Sequence, residues 1–354
     1  MSKSAPTSAD VARLAGVSRP TVNRVLGGYG YASPDTIDKV KAAATSLGYR
    51  QNAAARTLLT GRSGTVGVIV VDIENPYFST IVAEVCRAAQ AAGYQTLIMS
   101  SEGDSTVEAQ AVEAMLAQRV DGLIIAPNSA SATDHLDAVT AVGVPVVAID
   151  RIPVASQLNT VSIDNVQAGY DATCLLIEEG RKRIGIVTYD PRPHAAIWAA
   201  LDTPNPHELN PSPQRLLGYL QALRSAGLRA DPDLIAFAPK QSNKAGLEAT
   251  DRLLSYGVDA IFATDNVLSV GSYFSFSAHE ITVPDQLSFV AFDDVEWTKL
   301  TNPPLTVVAH SITSMGTRAA GILLQRLQSP SASAEPSHLV LEHKIIRRGT
   351  TRPL

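Results

Sequence analysis

Apolar residues in the first 50 positions recur at helical spacing, in three short sets separated by turn residues. Val11, Leu14 and Ala15 make the first set, Val22, Val25 and Leu26 the second, and Ile37, Val40, Ala44 and Leu47 the third. Each set lays one apolar stripe along a helix. The punctuation agrees with the stripes. Thr7-Ser8-Ala9-Asp10 reads as a capping box, in which the Thr7 oxygen accepts from the Asp10 amide and the acid sits well at a helix N-terminus. Gly16-Val17 turns the chain, Ser18 caps the second helix and Gly27-Gly28 ends it. Ser33-Pro34-Asp35 opens the third helix, with proline where no N–H is needed, and Gly48 stops it. Residues 52–61 predict a fourth helix, too short to hold alone in water.

From Thr65 the pattern changes to short apolar runs separated by amphipathic stretches. Runs at 66–71, 96–99, 122–126 and 144–149 predict buried strands, with helices such as 78–92 and 105–118 between them. The rhythm repeats after about residue 165, with runs at 184–187, 234–237, 260–262 and 287–292. Such alternation predicts parallel sheets buried on both faces. Two similar halves predict two Rossmann-like α/β lobes around a cleft, with any ligand at the carboxyl ends of the strands. Neither a Walker loop nor a G-x-G-x-x-G fingerprint occurs, nor a G-x-S-x-G elbow. His194, His207, His279 and His310 lack the spacing of a metal motif. No cofactor, metal or catalytic centre is therefore expected.

A chain of 354 residues suits two or three domains. Two cysteines, Cys86 and Cys174, cannot build a disulfide framework. The polar N-terminus is no secretory signal, and no apolar run is long enough to cross a bilayer. A soluble cytoplasmic protein with no membrane partner is expected. The net charge of −5 taken alone argues against nucleic acid, but its distribution reverses that reading. Residues 1–62 hold nine Lys/Arg against three acids, and the remainder twenty against thirty-one. A basic arm on an acidic body is the footprint of a nucleic-acid binder with a separate regulatory part. Two helices joined by a tight Ala15-Gly16-Val17 turn, the second one basic, make a helix-turn-helix.

Asp10-Val11-Ala12, Ala15-Gly16-Val17-Ser18 and Thr21-Val22-Asn23-Arg24-Val25-Leu26, followed by Asn52…Ala55-Arg56-Thr57-Leu58, resemble the head and hinge of the LacI (lactose-repressor) family. The body is similar too, at Asn75-Pro76-Tyr77-Phe78, Asp150-Arg151, Asp164-Asn165…Gly169, Arg215…Gly218-Tyr219, Thr264-Asp265-Asn266 and Phe292-Asp293-Asp294. The resemblance implies a helix-turn-helix head (1–50), a hinge helix and linker (51–63) and a two-lobed, periplasmic-binding-protein-like body (64–348). The first lobe is expected at about 64–162 and 292–325, the second at about 163–291 and 326–348. It implies a homodimeric regulator, expected to be a repressor, on a pseudo-palindromic operator of double-stranded DNA, controlled by a small polar effector.

Carried over residue by residue, the resemblance puts Arg19 and Pro20 on the base-reading pair and Ser18, Thr21 and Arg24 on further DNA contacts. Thr7 and Asn52 fall on phosphate or hinge contacts, Arg56 in the hinge, and Leu58 on the leucine that wedges open the DNA centre. Asn23 stands where serine is usual. Asn75, Phe78, Asp150, Arg151, Arg215, Asp265 and Asp293 fall on the effector cleft. Gln241 falls where many relatives have an aromatic residue and His310 where many have glutamine. These are groups a polyol needs: carboxylates accept from hydroxyls, guanidinium forks donate, and aromatic faces cover C–H surfaces. A sugar or sugar derivative is the implied effector. The stretch at 190–214, with Trp198, is longer than the family norm and reads as a lid. The competing readings are a periplasmic-type binding protein and an α/β enzyme with a DNA-binding head; the basic head argues against the first.

Overall fold

The computed structural model describes residues 6–27, 30–49, 61–153, 157–190, 206, 209–329 and 335–353. The expected hinge helix, with Asn52, Arg56 and Leu58, lies outside the described residues, as do Trp198 and most of the 190–214 segment. The chain forms two compact units, residues 1–65 with 119–121, and 66–118 with 122–354.

The first unit carries α1 (Ser8–Ala15), α2 (Arg19–Gly27) and α3 (Pro34–Leu47). Local chemistry sets their ends. The Thr7–Asp10 capping box forms, with the Asp10 carboxylate accepting in return from the Thr7 amide, and Gly16 closes α1 in the left-handed conformation. Ser18 accepts from the Thr21 amide, and Ser33 from the Thr36 amide. The helices meet in a small core of Val11, Ala12, Val22, Val40, Ala43 and Ala44, with Ala15, Val25, Leu26 and Leu47 packed against it, whereas Leu14 of the first stripe is exposed.

The second unit holds two six-stranded sheets. Its strands are β1 (Thr65–Val70), β2 (Gln95–Ser100), β3 (Gly122–Ile125), β4 (Val146–Ile149), β5 (Asn159–Ile163), β6 (Ile184–Tyr189), β7 (Ile235–Ala238), β8 (Ala260–Ala263), β9 (Ser288–Phe292), β10 (Thr306–His310), β11 (His338–Leu341) and β12 (His343–Ile346). The strand orders are β11-β5-β4-β3-β1-β2 and β12-β10-β9-β8-β6-β7, so the same order of strands occurs twice. β12 runs antiparallel to β10, whereas β9 and β10 pair in parallel. The helices are α4 (Pro76–Ala91), α5 (Ser105–Ala117), α6 (Asp134–Ala141), α7 (Asn165–Glu178), α8 (Pro211–Ser225), α9 (Asn243–Ser255), α10 (Asn266–Ala278), α11 (Trp297–Leu300) and α12 (Ile312–Gln328). Among the described residues no helix is long and apolar enough to cross a membrane.

The lobe boundaries differ from expectation. β10 belongs to the second sheet, so the return to the first lobe falls after His310 and not at 292. β11 pairs with β5 in the first sheet, and only β12 returns to the second, so the final crossing falls between Leu341 and His343 and not at 326. An apolar run does not say which sheet it joins; pairing decides that. β5 and β10–β12 also escaped the apolar-run reading. β5 is fully buried yet reads Asn-Thr-Val-Ser-Ile; Asn159 accepts from Arg326 and the Ser337 amide and Thr160 bonds His338, while the Ser162 hydroxyl is buried without a partner.

One contact positions the cleft. α7 and α8 cross with Gly169 against Gly218, where an added Cβ would sit 2.1 Å from the Arg215 carbonyl oxygen and 2.0 Å from that of Val166. Neither backbone can yield without moving a helix. Gly218→Ala is expected to cost more than the roughly 1–3 kcal/mol usual for overpacking and to displace Arg215. Chemical denaturation measures the loss; a variant with the wild-type midpoint would show that the helices slide apart freely.

Candidate functional site

The carboxyl ends of the strands in both sheets open onto one cleft, with a cavity of about 40 Å³. Asn75, Tyr77 and Phe78 reach it from the start of α4, and Asp150 and Arg151 from the end of β4. Tyr189, Asn210, Ser212, Arg215, Gln241, Asp265, Asn266 and Asp293 reach it from the second lobe. Eight of the nine expected effector residues therefore line one space. His310 does not: it stands behind Asp293, with Nδ1 3.8 Å from Oδ1, packed edge-on to Tyr77 and tilted against Phe292. Its place on β10, which no apolar run had marked as a strand, sets it back from the cleft.

The two lobes use the same device at corresponding strands. Asp150 follows β4 and Asp293 follows β9, both in the left-handed region at φ 66° and 69°. Their amides donate to Val161 and Val308 on the neighbouring strands, at 3.0 and 2.9 Å. Aspartate tolerates this conformation better than most residues. The backbone thus turns each carboxylate out of its sheet. In the first lobe Asp150 accepts from the Tyr77 hydroxyl at 3.0 Å and lies 4.0 Å from the Arg151 guanidinium, which also donates to the Pro127 carbonyl.

In the second lobe Arg215 is buried. It donates to Asn165 Oδ1 and to the Thr264 carbonyl, and its guanidinium carbon lies 3.5 Å above the Phe292 ring. Asp265 caps α10 by accepting from the Leu268 amide at 2.8 Å. Asp265 Oδ2, Asp293 Oδ1 and Arg151 Nε meet no hydrogen-bond partner in the protein. Burial pushes the Asp265 carboxyl up to about 6 and raises Asp293 as well, while Arg215 draws both down. Burial, then Arg215, lowers His310 to about 4, so its imidazole is neutral at physiological pH.

Asn266 ties the lobes together. Its amide nitrogen donates to Asn75 Oδ1 at 3.0 Å across the cleft and to Asp293 Oδ2 at 3.1 Å within its own lobe. At the rim, Asn210 donates to the Asn128 carbonyl at 3.3 Å. Tyr77, Tyr189, Asn210, Ser212 and Asn266 were not foreseen as site residues, although Tyr77 and Asn266 adjoin residues that were.

In the head, α2 turns Val22 inward and leaves Arg19, Pro20 and Arg24 exposed, with Asn23 half-buried beside them. Ser18 is exposed at the cap, its hydroxyl 2.8 Å from that of the half-buried Thr21. Arg24 donates to the Tyr31 carbonyl at 3.3 Å, and Arg19 reaches the Ser8 hydroxyl only at 3.5 Å. Thr7 is exposed, but its hydroxyl is committed to the cap, donating to Asp10 at 2.7 Å. The arrangement offers a helix face with two arginines whose forks suit guanine edges or phosphates.

Comparison with known proteins decides what this pairing of head and cleft is. Residues 7–52 match the family described as bacterial regulatory proteins, lacI family, and residues 63–348 match periplasmic binding proteins and the sugar binding domain of the LacI family. The chain belongs to the LacI family. It is thus a DNA-binding transcriptional regulator with a sugar-binding type of effector domain, not an enzyme. Among its LacI-family relatives, the HTH-type transcriptional regulator GalS of Salmonella typhimurium is 32% identical over 324 residues, 90% of this chain and 89% of that protein. The HTH-type transcriptional repressor CytR of Escherichia coli strain K12 is 30% identical over 359 residues, covering 99% of this chain and 98% of its own. A solved structure, the transcriptional regulator CelR in complex with cellobiose, is 28% identical with a TM-score of 0.70, covering 98% of this chain and 100% of that one.

Proposed function

We propose that the protein is a homodimeric repressor of the cytoplasm whose grip on a pseudo-palindromic operator is set by a small polyhydroxylated effector held between the lobes. The observation that carries this reading is a cleft lined by Asp150, Asp265, Asp293, Arg151 and Arg215, in which Asp265 Oδ2 and Arg151 Nε are buried without a hydrogen-bond partner. Buried polar groups are normally satisfied, and unmade bonds cost about 1–3 kcal/mol each. A ligand with several hydroxyls satisfies acceptors and donors at once. Asn75, Phe78, Asp150 and Arg151 would hold it from one lobe, and Arg215, Gln241, Asp265 and Asp293 from the other, with His310 supporting Asp293. A ligand bridging both lobes biases their closure, as Asn266 already does through Asn75. The cellobiose bound by CelR is consistent with a carbohydrate.

On the DNA side, Arg19 would read guanine from the major groove and Pro20 would supply only apolar contact. Ser18, Thr21, Asn23, Arg24 and Thr7 would flank them, with Asn52, Arg56 and Leu58 serving the hinge. The test begins with selection of a binding site from a random DNA pool. A two-fold-related site bound by a dimer supports the reading, and a sugar screen by thermal shift, repeated with the selected DNA, identifies ligands that change operator affinity. Arg19→Ala is expected to cost about 1–3 kcal/mol on the selected site and to relax one base position. Equal losses on selected and random DNA would assign Arg19 to phosphate alone. No ligand altering DNA affinity would overturn the effector reading.

A further inference from the structure

The charged residues lining the cleft do not balance. Asp150, Asp265 and Asp293 face Arg151 and Arg215, among the described residues. The first-lobe pair matches, since Asp150 has Arg151 at 4.0 Å and the Tyr77 hydroxyl besides. On the second lobe's side of the cleft the described lining holds two buried carboxylates, Asp265 and Asp293, and one cation, Arg215. Arg215 acts on both Asp265 and Asp293, and its Nε and Nη1 are already committed to Asn165 and Thr264. Asp265 Oδ2 is buried without a hydrogen-bond partner, and the unbonded Asp293 Oδ1 has the neutral His310 ring 3.8 Å away. His310 cannot make up the difference, because it stays neutral at physiological pH. Gln241, beside Asp265, is uncharged. A buried carboxylate without a matching cation is costly, and a hydroxyl answers its hydrogen bond but not its charge.

Given the effector cleft read above, we propose that its ligand is an aminodeoxy sugar or amino polyol, whose protonated amine lies against Asp265 and Asp293. Asp150 and Arg151 then take the hydroxyls. The ammonium supplies two or three N–H donors and one positive charge, which is what the described second-lobe lining of the cleft lacks.

The test uses the full-length protein and matched probes: D-glucose, D-galactose, D-mannose and D-ribose, each against its 2-amino-2-deoxy counterpart and the N-acetylated form. Titration calorimetry and thermal shift read binding. The amino member of at least one set is expected to bind at least about tenfold tighter than its neutral partner. The N-acetyl form, which keeps the shape near the nitrogen but not the charge, is expected to lose that advantage. Asp265→Asn preserves the α10 cap and is expected to abolish the preference, leaving amine and neutral sugar within about twofold. An N-acetyl form binding as well as the amine overturns the proposal even where the variant fails to fold. A neutral sugar binding as tightly as its amine, with binding lost in Arg215→Ala, overturns the charge inference and leaves the effector cleft standing. Silence from every probe overturns both.

Discussion

Arg215→Ala is expected to abolish the effector response and to destabilise the protein by about 3–5 kcal/mol, the usual consequence of removing one partner from a buried charge network. Arg215 is 5% exposed and is the cation that Asp265 and Asp293 share. Its loss also strips donors from Asn165 and Thr264 and uncovers the Phe292 ring. The variant should carry a pH signature. Without the guanidinium both carboxyls rise further, so the folded state takes up protons that the unfolded chain does not. Stability relative to wild type is then lost as pH rises, and the deficit is larger at pH 8 than at pH 5. Arg215→Lys restores charge without the planar fork, and is expected to recover part of the stability but not the response. Denaturation at the two pH values separates the accounts: equal deficits would mean lost packing, not charge. If instead the variant still responds at the wild-type effector concentration, Arg215 does not hold the ligand. Asp293→Asn, which tolerates the same left-handed backbone, should lose the response while keeping the fold.

The second large effect is a cancellation that single substitutions expose. His310 is lowered from the ordinary 6.5 to about 4, so the unfolded chain binds its proton first. Its contribution to stability is present above pH 6.5 and is lost as pH falls toward 4. Asp265 is raised from 3.8 to about 6, so the folded state binds its proton first. Its contribution is present below pH 4 and is lost as pH rises through 6. Each is worth about 3 kcal/mol across the interval, and they oppose one another. Asp265→Asn is therefore expected to make the protein more acid-sensitive than wild type between pH 6.5 and 4, and His310→Gln less so. Denaturant midpoints at pH 4, 5, 6 and 7 check this. Profiles of both variants running parallel to wild type would mean that neither group is held in the stated form.

What was legible in the chain was what local chemistry controls. The head's helices follow from their caps and stripes, because Thr7–Asp10, Gly16, Ser33-Pro34 and Gly48 act over three or four residues. The runs behind β1, β3, β4 and β6–β9 were readable because strands buried on both faces are almost wholly apolar, whereas β2, expected to be buried, is a sheet edge with no buried residue. β5 was not, since its buried Asn159, Thr160 and Ser162 look like surface residues, and only the fold brings Arg326 and His338 to the first two. Family motifs carried eight effector candidates to one cleft, but not the residues that complete it. Tyr189 and Asn210 flank a segment with no periodic signal. The bridging role of Asn266 exists only when Asn75, 191 residues away, is brought within 3.0 Å.

The sequence by itself determined the basic helical head, the two α/β halves and the kind of chemistry at the strand ends, since caps, periodicity and charge act through neighbours along the chain. Tertiary structure alone decided which sheet β10 and β11 join, that His310 stands behind Asp293, and that Arg215 serves two carboxylates. Those facts depend on strand order and on the Gly169–Gly218 crossing. Such contacts join residues far apart in the chain, and their free energy arises only when desolvated groups meet.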